Sequence, residues 1–339
     1  MPRHIPPNRF LLVGLAAMMP TLSACSWGGP KSTPEAQPVV MLPVPAPDPS
    51  GAMDNARAFA RIGDRHSALI EFHRAIEINA ELTEAYLGIG DLYADDGDWA
   101  DAEPYFASAA RIEPRNYDAQ YKHGLSLHLL DRIVEAVAAY LRALDIQPAS
   151  YEANLHVGTA YAQIGEFDRA IPFAVKAVEI RPKNANARRN LASLYRSVED
   201  HESAVIELQQ AAELMDLTPA LLMDLSDSLG KLHRYAEMAV TLEQVVAIRP
   251  TTGAYERLGF ANFRLKRYDQ ALTYFQNALD FDGDYYPALN GVGVCMLNKY
   301  ILSDRRDHAS LDKAVRALRR SLRVKRDQPR VVNLLSRYG

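Results

Sequence analysis

The sequence predicts an all-α solenoid, a stack of about eight helical hairpins. Three observations predict it. The first is a period: Ala68, Ala102, Ala136, Ala170 and Ala204 stand 34 residues apart. Four positions after each comes Phe72, Phe106, Tyr140, Ala174 or Leu208, and seven after each comes Ala75, Ala109, Ala143, Ala177 or Ala211. The second is helical spacing of small and aromatic residues, as in Tyr86, Ile89, Gly90 and Tyr93. Residues at i, i+3 and i+7 share one helix face, and Gly or Ala there lets two helices approach closely. The third is punctuation: Pro114, Pro148, Pro182 and Pro250 each follow a helix they cannot continue.

The hairpins are expected to begin near Ala52, Thr83, Tyr117, Tyr151, Ala185, Pro219, Thr252 and Tyr286. Gly63-Asp64, Gly97-Asp98-Trp99 and Gly165-Glu166-Phe167 punctuate the first, second and fourth. Pro104 and Pro172 are placed near the start of a second helix, where the first N–H groups have no intrahelical partner. The sixth hairpin is degenerate, with Met238 and Val245 in place of small residues, and the seventh is one residue short. The eighth carries extra loop residues from Ser303 to Ala309 before its helix resumes at Leu311, with Ser310 as N-cap. A short helix from Arg330 to Tyr338 is expected to cap the open end through Val331, Val332, Leu334 and Leu335.

This pattern resembles the tetratricopeptide repeat family, whose first helix reads aromatic-x-x-Leu-Gly-x-x-Tyr. Tyr86, Ile89, Gly90 and Tyr93 carry it. It recurs at Gly124 with Leu127, at Val157, Gly158 and Tyr161, at Leu191, Ala192 and Tyr195, at Tyr255, Leu258 and Gly259, and at Val292 and Gly293. The resemblance implies a right-handed superhelical solenoid whose first helices line a concave wall. It places a partner-binding groove at Leu87, Tyr121, Leu125, His128, Leu155, Arg189, Met223, Phe260 and Phe263. Met53 and Leu297 fall on the same wall, and each such residue either contacts a partner or packs on the next repeat. Some relatives hold a C-terminal carboxylate with Lys at fixed wall places; here those hold Met53, Leu87, Tyr121 and Leu155. The clamp is missing, so an extended or helical peptide across a partly apolar groove fits better.

Residues 1–24 read as an export signal: Arg3, His4 and Arg9, then an apolar stretch from Phe10 to Leu22. Leu22-Ser23-Ala24-Cys25 resembles the lipobox of bacterial lipoproteins, which implies cleavage before Cys25 and lipid attachment there. The alternative is an ordinary cleavable signal. Ser26 stands where Asp would mark inner-membrane retention, which points to the outer membrane, facing the periplasm. Residues 25–51 form a proline-rich linker (Pro30, Pro34, Pro38, Pro43, Pro45, Pro47, Pro49), either an extended spacer or simple disorder. The solenoid then runs over 52–326 and the capping helix over 327–339.

A net charge of −4 argues against a general nucleic-acid binder. With Cys25 lipidated, Cys295 is alone and reads as a buried core residue. Asp91, Asp95, Asp96, Asp98, Asp101 and Glu103 crowd one turn, but without EF-hand spacing. Arg316, Arg319, Arg320 and Arg323 form a stripe opposite Leu311, Val315, Leu318 and Leu322. That stripe is either the solvent face of a terminal helix or a dock for an anionic surface, such as lipid headgroups or cell wall. No catalytic, cofactor or metal-binding residues are assigned. His66 and His73 lie two turns apart, Gly88-Ile89-Gly90 and Gly291-Val292-Gly293 lack a third glycine, and Ser310-x-x-Lys313 lacks its companion motifs.

The expectation is therefore a non-enzymatic, membrane-anchored adaptor for envelope proteins. The rivals are a cell-wall or carbohydrate binder, and a regulatory subunit or pilotin of a pilus or secretion complex.

Overall fold

A computed structural model of the chain describes residues 48–339. The signal, Cys25 and most of the proline-rich linker lie outside the described residues. Those described form 17 α-helices in tandem hairpins. The first helices are α1 (Ser50–Arg61), α3 (Thr83–Asp95), α5 (Tyr117–Leu129), α7 (Tyr151–Gln163), α9 (Ala185–Ser197), α11 (Pro219–Lys231), α13 (Thr252–Arg264) and α15 (Tyr286–Leu302). Their partners are α2 (Arg65–Ile78), α4 (Trp99–Ile112), α6 (Ile133–Ile146), α8 (Phe167–Ile180), α10 (His201–Leu214), α12 (Tyr235–Ile248), α14 (Tyr268–Phe281) and α16 (His308–Val324). A short α17 (Pro329–Tyr338) follows. Seven of the eight expected hairpin starts coincide with a helix start; the first helix begins at Ser50 rather than Ala52.

Each helix packs on its neighbours in sequence, so the core is a row of local clusters. The repeating alanines are why: Ala68, Ala102, Ala136, Ala170 and Ala204 are fully buried at the hairpin crossings. At Gly124 the approach is so close that a Cβ would stand 2.6 Å from the Tyr140 ring.

The turn inside each hairpin repeats one backbone device. In the first, the Gly63 N–H donates to the Ala60 carbonyl and the Asp64 N–H to Phe59. This is a Schellman closure, which needs a left-handed residue at its apex. Gly63, Gly97 and Gly165 supply it with φ of 78°, 82° and 78°. In the remaining standard hairpins Asp131, Glu199, His233 and Lys266 occupy the same apex at φ of 60–63°. Five of the eight first helices, α5, α7, α9, α11 and α13, are capped by Asn116, Ser150, Asn184, Thr218 and Thr251, whose side chains accept the N3 amide.

Four expectations need correction. Pro104 and Pro172 are the sixth residues of α4 and α8. They lie beyond the free N–H groups, so each removes one backbone bond from the helix. The last second helix resumes at His308, not Leu311, and its N-cap is Asp307, which accepts from the Ser310 amide. In the capping helix Val331 is buried and Leu334 and Leu335 pack on the eighth hairpin, but Val332 faces solvent at 51% exposure. A ten-residue helix turns only one side to its neighbour, and Val332 falls outside it. Met53 and Leu297, placed on the wall, are buried at 5% and 3%.

Candidate functional site

First helices of successive hairpins approach one another directly: α1 with α3, α3 with α5, α7 with α9, and α13 with α15. No two second helices approach as closely, which puts the first helices on the inner wall of the stack.

Ion pairs between successive first helices cross this wall as rungs. Arg57 pairs with Glu84, and Lys122 Nζ donates to Asp91 at 2.7 Å. Arg196 pairs with Asp224, and Arg257 Nε lies 3.1 Å from Asp227. These pairs are partly exposed, so they stabilise by a fraction of a kcal/mol each, roughly 0.2–1. Their larger effect is to hold the wall's charged residues against each other.

Between the Lys122 and Arg196 rungs the wall is apolar and aromatic. Tyr117 stacks on Tyr121 with ring centroids 5.7 Å apart. Tyr121 lies 5.8 Å from both Tyr140 and His156, and Tyr140 stacks on His156 at 5.5 Å. His128 stands 6.1 Å from His156, and its Nε2 lies 2.8 Å from Gln163 Oε1. Burial pushes the Tyr121 phenol up to about 12 and raises Tyr140 further. Burial lowers the pKa of His156, and the neighbouring His128 lowers it again. Leu125 and Leu155 flank the cluster and are half-buried.

The structure thus brings Tyr121, Leu125, His128 and Leu155 together on one stretch of wall. Leu87 lies one rung earlier, half-buried beside Asp91 and Lys122. Arg189 and Met223 follow on α9 and α11, and Met223 Sδ lies 4.0 Å from Arg257 Nη1. Phe260 and Phe263 form a separate aromatic group at the far end: Phe260 meets Tyr235 at 6.0 Å and Phe263 meets Tyr268 at 5.4 Å. Burial raises the carboxyl pKa of Glu256 nearby, against the opposing effect of Arg257.

Two members of the cluster went unassigned in the sequence. His156 sits one position after a wall residue, and Tyr140 belongs to a second helix. A pair of histidines 28 positions apart carries no periodic signal, since it depends on the rotation between neighbouring repeats.

Arg316, Arg319, Arg320 and Arg323 line one shallow groove with Leu279, Leu289 and Val292. Arg320 Nε donates to Asp284 at 2.9 Å, and all four side chains are exposed. Cys295 is buried at 3% exposure, and burial pushes its thiol up to about 12, which keeps it protonated and unreactive. Among the described residues no group of three His, Cys, Asp or Glu could hold a metal ion, and no helix is long and apolar enough to cross a membrane.

Stacked helical hairpins with a continuous inner wall define a helical-repeat interaction scaffold. Residues 53–114, 87–151, 135–185, 158–220 and 253–285 match the tetratricopeptide repeat. These stretches cover more than half of the chain, and the chain belongs to the tetratricopeptide repeat family. No curated relative matches it. Among solved structures it is similar to YrrB, described as a TPR protein with an unusual peptide-binding site, at 20% identity and TM-score 0.49 over 58% of this chain and 98% of that one. It is similar to MamA at 22% identity and TM-score 0.47, covering 50% and 96% of the two chains. A tetratricopeptide repeat protein from Parabacteroides merdae shares 17% identity at TM-score 0.47, covering 73% and 98%.

Proposed function

We propose that the chain is a lipid-anchored, non-enzymatic scaffold that holds a protein partner of the bacterial cell envelope against its inner wall. The observation that carries the reading is the Tyr121, Leu125, His128 and Leu155 band. It is a half-buried apolar and aromatic stretch of wall between the Asp91–Lys122 and Arg196–Asp224 ion pairs. Aromatic side chains with one apolar body and one polar tip are favoured contact residues, because they bury area at low entropic cost. The anchor rests on the tetrad ending at Cys25, and the outer-membrane, periplasm-facing location rests on Ser26. Several acyl chains on Cys25 would hold firmly, at about 0.8 kcal/mol per buried CH₂.

Two experiments test it. Affinity capture from detergent-solubilised envelopes compares the mature chain with a Tyr121→Ala, Leu125→Ala, His128→Ala variant of equal helicity. A protein retained by the first bait and lost by the second is the expected result. Equal recovery with both removes the band from the proposal. Retention on purified cell wall with no added protein favours the cell-wall-binding rival instead. For the anchor, labelled palmitate is expected in the intact chain and absent from a Cys25→Ser chain, which then leaves the membrane fraction.

A further inference from the structure

One wedge residue per repeat fills the space between a second helix and the first helices beside it. Phe72, Phe106, Tyr140, Leu208, Leu242, Phe275 and Leu318 are all buried at 4% exposure or less. The fit is tight: a Cβ on Gly90 would stand 2.5 Å from the Phe106 ring, and one on Gly259 would stand 2.8 Å from Phe275. In the fourth repeat the wedge position holds Ala174. A Cβ on Gly158, opposite it, would meet nothing nearer than 3.4 Å.

The space left by the missing side chain is a notch of about 200 Å³, lined by Leu155, Gly158, Thr159, Ala162, Phe167 and Leu194 among others. Leu155, Thr159 and Ala162 are residues of the inner wall, so the notch opens onto it. Side chains around an unfilled apolar space forgo dispersion contacts on that side. The notch is open on the wall side, where Asn190, Ser193 and Ser197 add polar groups to its rim; by volume alone it has room for a phenyl ring, since a closed cavity of about 150 Å³ takes benzene. The chain's own repeats show what shape fits: elsewhere the same place is filled by Phe, Tyr or Leu.

The next repeat carries an unpaired charge on the same wall. Arg189 lies at the wall position of Leu155, one repeat on, and shares a helix face with Ser193, which also lines the notch. Arg57, Lys122, Arg196 and Arg257 are all paired along the wall. Arg189 makes no ion pair among the described residues, and its Nε is buried with no hydrogen-bond partner. A guanidinium in that state favours a carboxylate.

We infer that the notch between the fourth and fifth repeats takes an aromatic side chain from an extended partner segment, with an acidic group of that segment on Arg189. The inference rests on the inner wall being a partner surface, and it names the chemistry that the wall selects.

The probes are acetyl-Phe-amide, acetyl-Gly-Phe-Asp-Gly-amide, acetyl-Gly-Asp-Phe-Gly-amide and the two tetrapeptides with Ala for Phe. Binding is read from the methyl NMR signals of Leu155, Thr159 and Leu194. Saturable shifts at millimolar concentration are expected with the Phe probes and not with the Ala ones. Ala174→Phe fills the notch from within and is expected to abolish the shifts while keeping the melting temperature or raising it. Should that chain not fold, Thr159→Phe blocks the same mouth from a wall position. Arg189→Gln is expected to weaken one Asp-containing probe about tenfold, equal to about 1.4 kcal/mol, and to leave acetyl-Phe-amide unchanged.

No shift in the parent chain at about 20 mM probe, weaker than any useful contact, overturns the inference. So does equal binding by a folded, blocked variant. An Arg189→Gln chain that binds every probe normally removes the acidic half. A captured partner that is lost with the Tyr121 triple variant yet held by Ala174→Phe leaves the scaffold standing and refutes the notch. Probe binding without any wall-dependent partner does the reverse.

Discussion

Glu199 and Lys266 sit at the left-handed apex of their hairpin turns, at φ of 60° and 63°, where Gly63, Gly97 and Gly165 stand in other repeats. Both side chains are exposed and make no hydrogen bond or ion pair among the described residues. Glu199→Gly and Lys266→Gly therefore remove backbone strain without removing a contact. An L-residue in this region costs about 1–2 kcal/mol, and glycine returns about 0.5–1 kcal/mol of that through the freedom it adds to the unfolded chain. The net gain is about 0.5–1 kcal/mol per site. The two sites lie two hairpins apart and share no partner, so the double variant is expected to gain about 1–2 kcal/mol. Urea unfolding followed by circular dichroism reads this as a raised midpoint. Gly97→Ala makes the opposite change and is expected to lower it by about 1 kcal/mol. A double glycine variant with an unchanged or lowered midpoint would refute the assignment of strain to these apices.

Gly124→Ala is expected to cost about 1–3 kcal/mol, because the fully buried Tyr140 ring has nowhere to retreat. Gly158→Ala is expected to be neutral or to gain about 0.5–1 kcal/mol, since its nearest neighbours leave room for a methyl group. Thermal unfolding of the two variants side by side checks the contrast. Ser150→Ala should lose about 1–2 kcal/mol in the same assay, since Ser150 Oγ caps α7 and also lies 2.6 Å from the Tyr117 hydroxyl. His156 has a folded-state pKa below its unfolded value, so the unfolded chain takes up the extra proton. Its contribution is present above the unfolded pKa and is lost as pH falls through the folded one. The melting temperature should therefore drop as pH falls below the ordinary imidazole range, and less steeply in His156→Gln.

The hairpin boundaries were legible because each is marked by a residue type with one physical job. Gly63, Gly97 and Gly165 provide positive φ, Ala at the crossings provides closeness, and Pro114, Pro148 and Pro182 end helices. Pro104 was misplaced because proline more often marks a helix start, and only packing shows that α4 runs through it. The choice between Ser310 and Asp307 as cap depended on where the chain leaves the long turn after α15. The wall residues followed from register within one helix. The joining of His128, Tyr140 and His156 did not, because it depends on how one repeat is rotated onto the next. Ala174 was visible as the one small residue in a column of large ones, but its meaning waited on the empty space opposite Gly158.

The most direct measurement is site-specific photocrosslinking in intact envelopes. A benzophenone amino acid is placed at Leu87 on the inner wall, outside the notch, and, in separate chains, at Lys176 and Ile206 on second helices. The account predicts a discrete protein adduct from Leu87 that disappears with the Tyr121→Ala, Leu125→Ala, His128→Ala background, and none from Lys176 or Ile206. Adducts of equal yield from both faces, or from the second helices alone, would contradict it.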